Sequence, residues 1–212
     1  MERDEVFIGL QHPFTLQIVG PTGVGKTALI KRILKNNCEI IKGEITNIYY
    51  IYGIYQPIFQ TIQRENPLVS FHSTIPEDYE KRNALFIFDD LQSDLKEGHN
   101  KFFTDFITRE SHHSSLSVIY TLQNMFMKNM RTAALNTTYI AFFNQIRDQS
   151  TIQTLGRQMF PERKGFLAEA YKKSTRNPRG YIFIDMSIKQ NPRFRIRSNL
   201  FNDDDMKIFV PV

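Results

Sequence analysis

Residues 20 to 27 read GPTGVGKT and follow directly on the apolar run FTLQIV. These eight residues satisfy the pattern G-x-x-x-x-G-K-[ST], which constrains the chain more than any other segment because it works only between a strand and a helix. Gly20, Gly23 and Gly25 let the backbone curl so that successive N–H groups point inward at phosphate oxygens, and the following helix adds the positive end of its dipole. On this reading Gly20, Pro21, Thr22, Gly23, Val24, Gly25, Lys26 and Thr27 cradle the phosphates of a nucleotide. Lys26 reaches the β and γ phosphates, and the Thr27 hydroxyl ligates Mg²⁺.

A loop of this kind implies a sheet with helices on it, and the rest of the chain agrees. Short β-rich runs at Phe14 to Val19, Ile45 to Tyr52, Leu85 to Phe88, Ser117 to Leu122 and Tyr139 to Phe143 alternate with segments of helical spacing, such as Lys26 to Leu34 and Asp94 to Arg109. That alternation predicts an α/β fold, a mostly parallel central sheet flanked by helices. Past Pro161 the segments shorten, and GYIFIDMSI and RFRIR read as short C-terminal β additions that pair as an appended hairpin. FNDDDMKIFVPV reads as an acidic turn and a terminal strand or tail. No repeat, low-complexity tract or Gly/Ser linker interrupts the chain, so one domain is expected over 1–212, with a core at about 14–198 and a tail at 199–212.

Two further strands end in groups that suit phosphate chemistry. ALFIFDDL reads as a buried strand that delivers Asp89 and Asp90 to its C-terminal edge, where ligands of open α/β sheets bind. Asp89 is placed to hold Mg²⁺ through water, opposite Thr27. Asp90 is placed to orient and deprotonate an attacking water. SVIYTLQN ends at Gln123, whose amide can contact a γ-phosphate and a water at once. Acidic residues also end strands for no catalytic reason, and Gln123 with Asn124 would otherwise read as a solvated turn. The loop upstream is what favours the functional reading of all three.

Composition excludes several classes. With 41% hydrophobic and 23% charged residues the chain is globular, and its longest apolar runs, such as LFIF and YIAFF, are far too short to span a bilayer. MERDEVFIGL is acidic where a secretory signal needs a basic start, and a lone Cys38 fits a reducing intracellular compartment. His112 and His113 have no Cys or His partners at zinc-ligand spacing, so no metal is assigned to them. The net charge of +5 is unevenly placed: eleven Lys and Arg stand against three Asp and Glu from Arg157 to Arg197, leaving −3 for the rest. Such a stripe can neutralise nucleic-acid phosphates, or it can simply be a solvated face.

Taken in order on a chain of 212 residues, GPTGVGKT, ALFIFDDL and SVIYTLQN resemble the viral DNA-packaging ATPases of the FtsK/HerA superfamily, in the short form found in poxvirus-type viruses, virophages and Polinton-type transposons. IYYIYGIYQPIF, TRESHHSSLSVIYTLQNMF, LNTTYIAFFNQIRDQSTIQTLGRQMFP, GYIFIDMS and RFRIRSNLF extend the likeness over roughly Phe14 to Phe201. The resemblance implies a RecA-like P-loop fold and an ATP- and Mg²⁺-dependent motor that translocates double-stranded DNA, without regard to sequence, into a preformed capsid. It implies Lys26 and Thr27 in the loop, Asp89 as the metal aspartate, Asp90 as catalytic base where many relatives carry Glu, and Gln123 as sensor. It also implies a homo-oligomeric ring, a pentamer or hexamer, docked on a capsid or portal protein at the intracellular site of virion assembly, with no membrane. Ring ATPases usually complete the site with a neighbour's arginine, and Arg147 and Arg157 are the candidates because both follow the fourth core strand; each reads as well as an ordinary surface or capping arginine. Rival readings are another translocase of the same superfamily, a non-hydrolysing nucleotide switch, and a small-molecule kinase with RNPRG at 176–180 as its lid.

Overall fold

Apolar runs become strands because a parallel sheet covered on both faces needs nearly continuous hydrophobic residues. In a computed structural model, which describes residues 7–89, 106, 115–125, 131–202 and 206–211, strands β2 (Thr15–Val19), β4 (Asn47–Tyr52), β5 (Val69–His72), β6 (Ala84–Asp89), β7 (Leu116–Leu122) and β8 (Tyr139–Phe143) form the parallel part of a nine-stranded sheet. β9 (Tyr181–Asp185), β10 (Ile196–Arg197) and β11 (Ile208–Phe209) extend it antiparallel, giving the order β11-β10-β9-β8-β2-β7-β6-β4-β5. A separate two-stranded parallel ladder joins β1 (Leu10–Gln11) to β3 (Ile41–Lys42).

The described helices are α1 (Lys26–Lys35), α2 (Asn37–Ile40), α3 (Ile58–Glu65), α4 (Arg131–Leu135), α5 (Gln149–Met159) and α6 (Phe166–Ser174). α1 buries Leu29, Ile30, Ile33 and Leu34, a stripe at helical spacing, against Leu16, Ile18, Ile87 and Ile119 of the sheet, and α3 adds Phe59 and Ile62 to the same cluster. α5 and α6 cover the other side, where Ile152, Leu155, Leu167 and Tyr171 pack with Ile140, Phe142 and Ile182. Each such aliphatic side chain contributes roughly 1.5–3 kcal/mol through the area it removes from water. Because helices lie on both sides, the parallel strands are buried almost without a break: β2, β6, β7 and β8 have no exposed residue.

The α/β prediction is met, and the appended hairpin takes a specific form. β9 pairs with β10 as expected, but β9 also pairs with β8 from Tyr139↔Asp185 to Phe143↔Tyr181, so the hairpin continues the central sheet. Only Ile196–Arg197 of RFRIR is strand, since Pro192 starts a 3₁₀ turn at Pro192–Phe194. The predicted helix at 94–109 lies outside the described residues, apart from Phe106. Among the described residues no helix is long and apolar enough to cross a membrane.

Candidate nucleotide-binding site

β2 has β7 on one side and β8 on the other, and β7 separates it from β6. With strands about 4.8 Å apart, the carboxyl ends of β2 and β6 stand roughly 10 Å from each other, room for phosphates and a cation between the loop on one and the carboxylate on the other. Gly23 (φ +79°) and Gly25 (φ +116°) adopt the left-handed backbone that side chains disfavour, and α1 starts immediately after Gly25 with no side-chain cap. An uncapped helix start of this kind is where backbone N–H groups and the helix dipole receive an anion. The Gly20 N–H donates to the Leu122 carbonyl at 3.0 Å, which ties the mouth of the loop to the end of β7.

Lys26 is only 8% exposed, and its ammonium donates to the carbonyls of Gly20 (2.8 Å) and Pro21 (3.0 Å). The cation is thus held inside the loop by the loop's own backbone. Beside it, Asp89 is 3% exposed and accepts three hydroxyl donors: Tyr50 at 2.6 Å and Thr27 at 3.0 Å on Oδ2, and Thr121 at 3.1 Å on Oδ1. Burial, and then the negative charge of Asp89 beside it, holds the Tyr50 hydroxyl well above its ordinary pKa, so it remains a donor. A cleft of about 340 Å³ opens over these groups, lined by Thr22, Gly23, Gly25, Lys26, Thr27, Ala28, Gln56 and Asp89.

The donors here are all oxygen, one carboxylate and a hydroxyl next to it, which fits a hard cation such as Mg²⁺ that takes its remaining ligands from phosphates and water. Among the described residues no group of three or more His, Cys, Asp or Glu could hold a metal ion. A larger cavity, about 560 Å³, lies between α6 and β11, lined by Arg163, Lys164, Lys173 and Phe209 among others. It has no curled loop of N–H groups, and the smaller cleft is the one that combines loop, lysine and strand-end carboxylate.

Of the residues expected from sequence, Thr22, Gly23, Gly25, Lys26, Thr27 and Asp89 come together here. Gln123 is exposed at the end of β7, one residue past the carbonyl that anchors Gly20, and its own carbonyl accepts from Gln145 Nε2 at 3.0 Å. Arg147 is exposed in the turn after β8, and Arg157 is exposed on α5 with Nη2 at 3.3 Å from Thr154 Oγ1; neither lines this cleft. Asp90, His112 and His113 lie outside the described residues. From RNPRG, the stem of Arg179 packs on the loop, its Cγ 3.8 Å from where a Cβ on Gly25 would stand.

Sequence reasoning gave no role to Tyr50, Thr121 or Gln56, although IYYIYGIYQPIF, which holds Tyr50 and Gln56, belongs to the resemblance. Tyr50 and Thr121 sit inside strands and read as packing residues; only the sheet order, with β4 and β7 on either side of β6, turns them toward Asp89. Gln56 had a local signal, a polar residue just past a strand and just before Pro57.

A strand, a glycine-rich turn closing on a buried lysine, the helix it opens and a carboxylate two strands away define the P-loop NTPase fold. No protein-family model matches the chain, and no curated protein does. Among solved structures it is similar to the genome packaging NTPase B204 from Sulfolobus turreted icosahedral virus 2 in complex with sulfate, with a TM-score of 0.52 and 14% identity over 94% of this chain and 97% of that one. The same protein in complex with ATP-gammaS gives a TM-score of 0.49 at 14% identity, over 94% and 98%. The cytoplasmic domain of EssC gives 0.46 at 13% identity, over 66% of this chain and 33% of that one. At 14% identity the first likeness establishes a shared fold along nearly the whole chain.

Proposed function

We propose that this protein is an ATPase that translocates double-stranded DNA into a preformed capsid during virion assembly. The observation that carries the reading is the cleft itself: Lys26 folded into the loop, with Thr27 and Asp89 in hydrogen-bond contact at 3.0 Å beneath it. The fold shared with a protein described as a genome packaging NTPase supports the choice of motor over other P-loop activities.

In this reading the loop N–H groups and the Lys26 ammonium bind the β and γ phosphates and neutralise charge that develops on them. Thr27 and Asp89 hold Mg²⁺, which when bound supplies electrostatic stabilisation of the transferring phosphoryl group. Asp90, next in the chain to Asp89, takes the proton of the attacking water, and Gln123 senses the γ-phosphate from the end of β7. Arg147 or Arg157 acts on a neighbouring copy, which accords with their exposed positions away from their own cleft. The protein then works as a ring, a pentamer or hexamer on a capsid or portal protein, with hydrolysis biasing an element that touches DNA. Backbone contacts suit that task, because phosphate binding is indifferent to sequence.

The deciding experiment is the steady-state ATPase rate of the assembled protein with and without long double-stranded DNA, for wild type, Lys26→Ala and Asp90→Asn. DNA-stimulated hydrolysis, reduced by about 10³-fold or more in both variants, is the expected result. ATP binding without turnover in any oligomeric state would replace the motor with a nucleotide switch.

A further inference from the structure

Gln56 lines the cleft together with Thr22, Lys26, Thr27 and Asp89, and none of the roles above uses it. It stands just past β4, whose last residue, Tyr52, pairs with Asp89 across the parallel ladder. The sheet therefore sets out three groups in sequence: the loop after β2, the carboxylate at the end of β6, and Gln56 beyond β4. A phosphate chain bound by the loop N–H groups would share this cleft with Gln56.

The local structure fixes the backbone that carries this side chain. Pro57 follows it, which restricts Gln56 to extended backbone, and the Gln56 carbonyl accepts from Phe59 N–H at 3.0 Å as α3 begins. Phe59 is 1% exposed, with ring centroids 4.7 Å from Phe71, 5.0 Å from Tyr50 and 5.3 Å from Tyr52. Tyr50 in turn donates to Asp89. The turn that presents Gln56 is thus anchored through Phe59 and Tyr50 to Asp89. The side chain itself is half-buried and neutral, with two donors and one acceptor. A carboxylate at this position would repel a phosphate, whereas an amide can donate to a phosphate oxygen while adding no charge next to Lys26.

On the nucleotide-binding reading above, we propose that Gln56 contacts the terminal phosphate of a bound nucleoside triphosphate and so distinguishes triphosphate from diphosphate. The test is equilibrium binding of a fluorescent non-hydrolysable ATP analogue and of fluorescent ADP to the full chain, for wild type, Gln56→Ala and the isosteric Gln56→Glu, with the melting temperature of each measured without nucleotide. The expected result is a loss of triphosphate affinity of about tenfold in Gln56→Ala, the size of one hydrogen bond to a charged group. Gln56→Glu loses more, ADP binding stays within about twofold, and the melting temperatures agree. Equal weakening toward both nucleotides, or unchanged triphosphate affinity, would overturn the role of Gln56 and leave the nucleotide site intact. Failure of the wild type to bind either nucleotide would overturn both readings.

Discussion

At Asp89 three hydroxyls from three different elements meet one carboxylate that is almost completely buried. A buried charge is costly unless its lone pairs are satisfied, and Tyr50, Thr27 and Thr121 satisfy them from β4, α1 and β7. Tyr50→Phe removes the shortest of the three bonds and leaves Thr27 alone on Oδ2. We expect it to lower the free energy of unfolding by about 1.5–3 kcal/mol, the usual range for a hydrogen bond to a charged group, read from urea denaturation. A change within about 0.5 kcal/mol would mean that water takes over the bond. The aspartate was legible at the end of an apolar run. The tyrosine and threonine were not, because in NIYYIY and SVIYTL nothing local separates a hydroxyl that serves a carboxylate from one that merely fits a core.

The loop and α1 form the element whose sequence says most about its own conformation. Gly25 has φ +116°, and a Cβ added there would stand 3.6 Å from Phe143 Cε1, an ordinary contact. The cost of Gly25→Ala is therefore backbone strain, about 1–2 kcal/mol, rather than collision. Circular dichroism should show a retained fold with a slightly lower melting temperature, while nucleotide binding falls at least tenfold because the curl of N–H groups is lost. Undiminished binding would show that the loop tolerates another conformation. Tyr139–Phe143 was read to the residue and α1 to within one, since apolar runs bounded by polar residues and a stripe at helical spacing are local signals. β10 was expected from RFRIR, but its extent was not: the Ile196↔Ile184 pairing with β9 limits it to two residues. Among the described residues β5 pairs only with β4, at the outer edge of the parallel strands, and VSFH carries little pattern of its own.

For the molecule as a whole, folding redistributes the charge that the sequence concentrates in its last third. Arg197 is fully buried, 4.8 Å over the Phe183 ring and 3.9 Å from Asp185, while Arg163, Lys164, Lys172 and Lys173 remain exposed, as does Arg179, whose stem packs on the loop. A second charge effect is set by packing at the opposite end of β2, where half-buried His12 meets Ser117 Oγ at 2.6 Å. Burial lowers its pKa from 6.5, partly offset by a backbone hydrogen bond to Ser115. The unfolded chain then takes up a proton that the folded chain resists, so the His12 contribution is complete above pH 6.5 and is lost as pH falls from there through the depressed folded value. Melting temperatures from pH 7.5 to 5 should decline less steeply in His12→Gln than in wild type; equal slopes would assign the decline to other groups. The sequence by itself determined the phosphate loop, the strand that carries Asp89 and the α/β class, because each depends on neighbours within one turn or one strand. Only the tertiary structure decided which hydroxyls reach Asp89, that Gln56 enters the cleft, that the C-terminal hairpin joins the main sheet, and that polar Gln17 is buried in β2. Those outcomes follow from strand order and from helices covering both faces, which are properties of contacts between segments far apart in the chain.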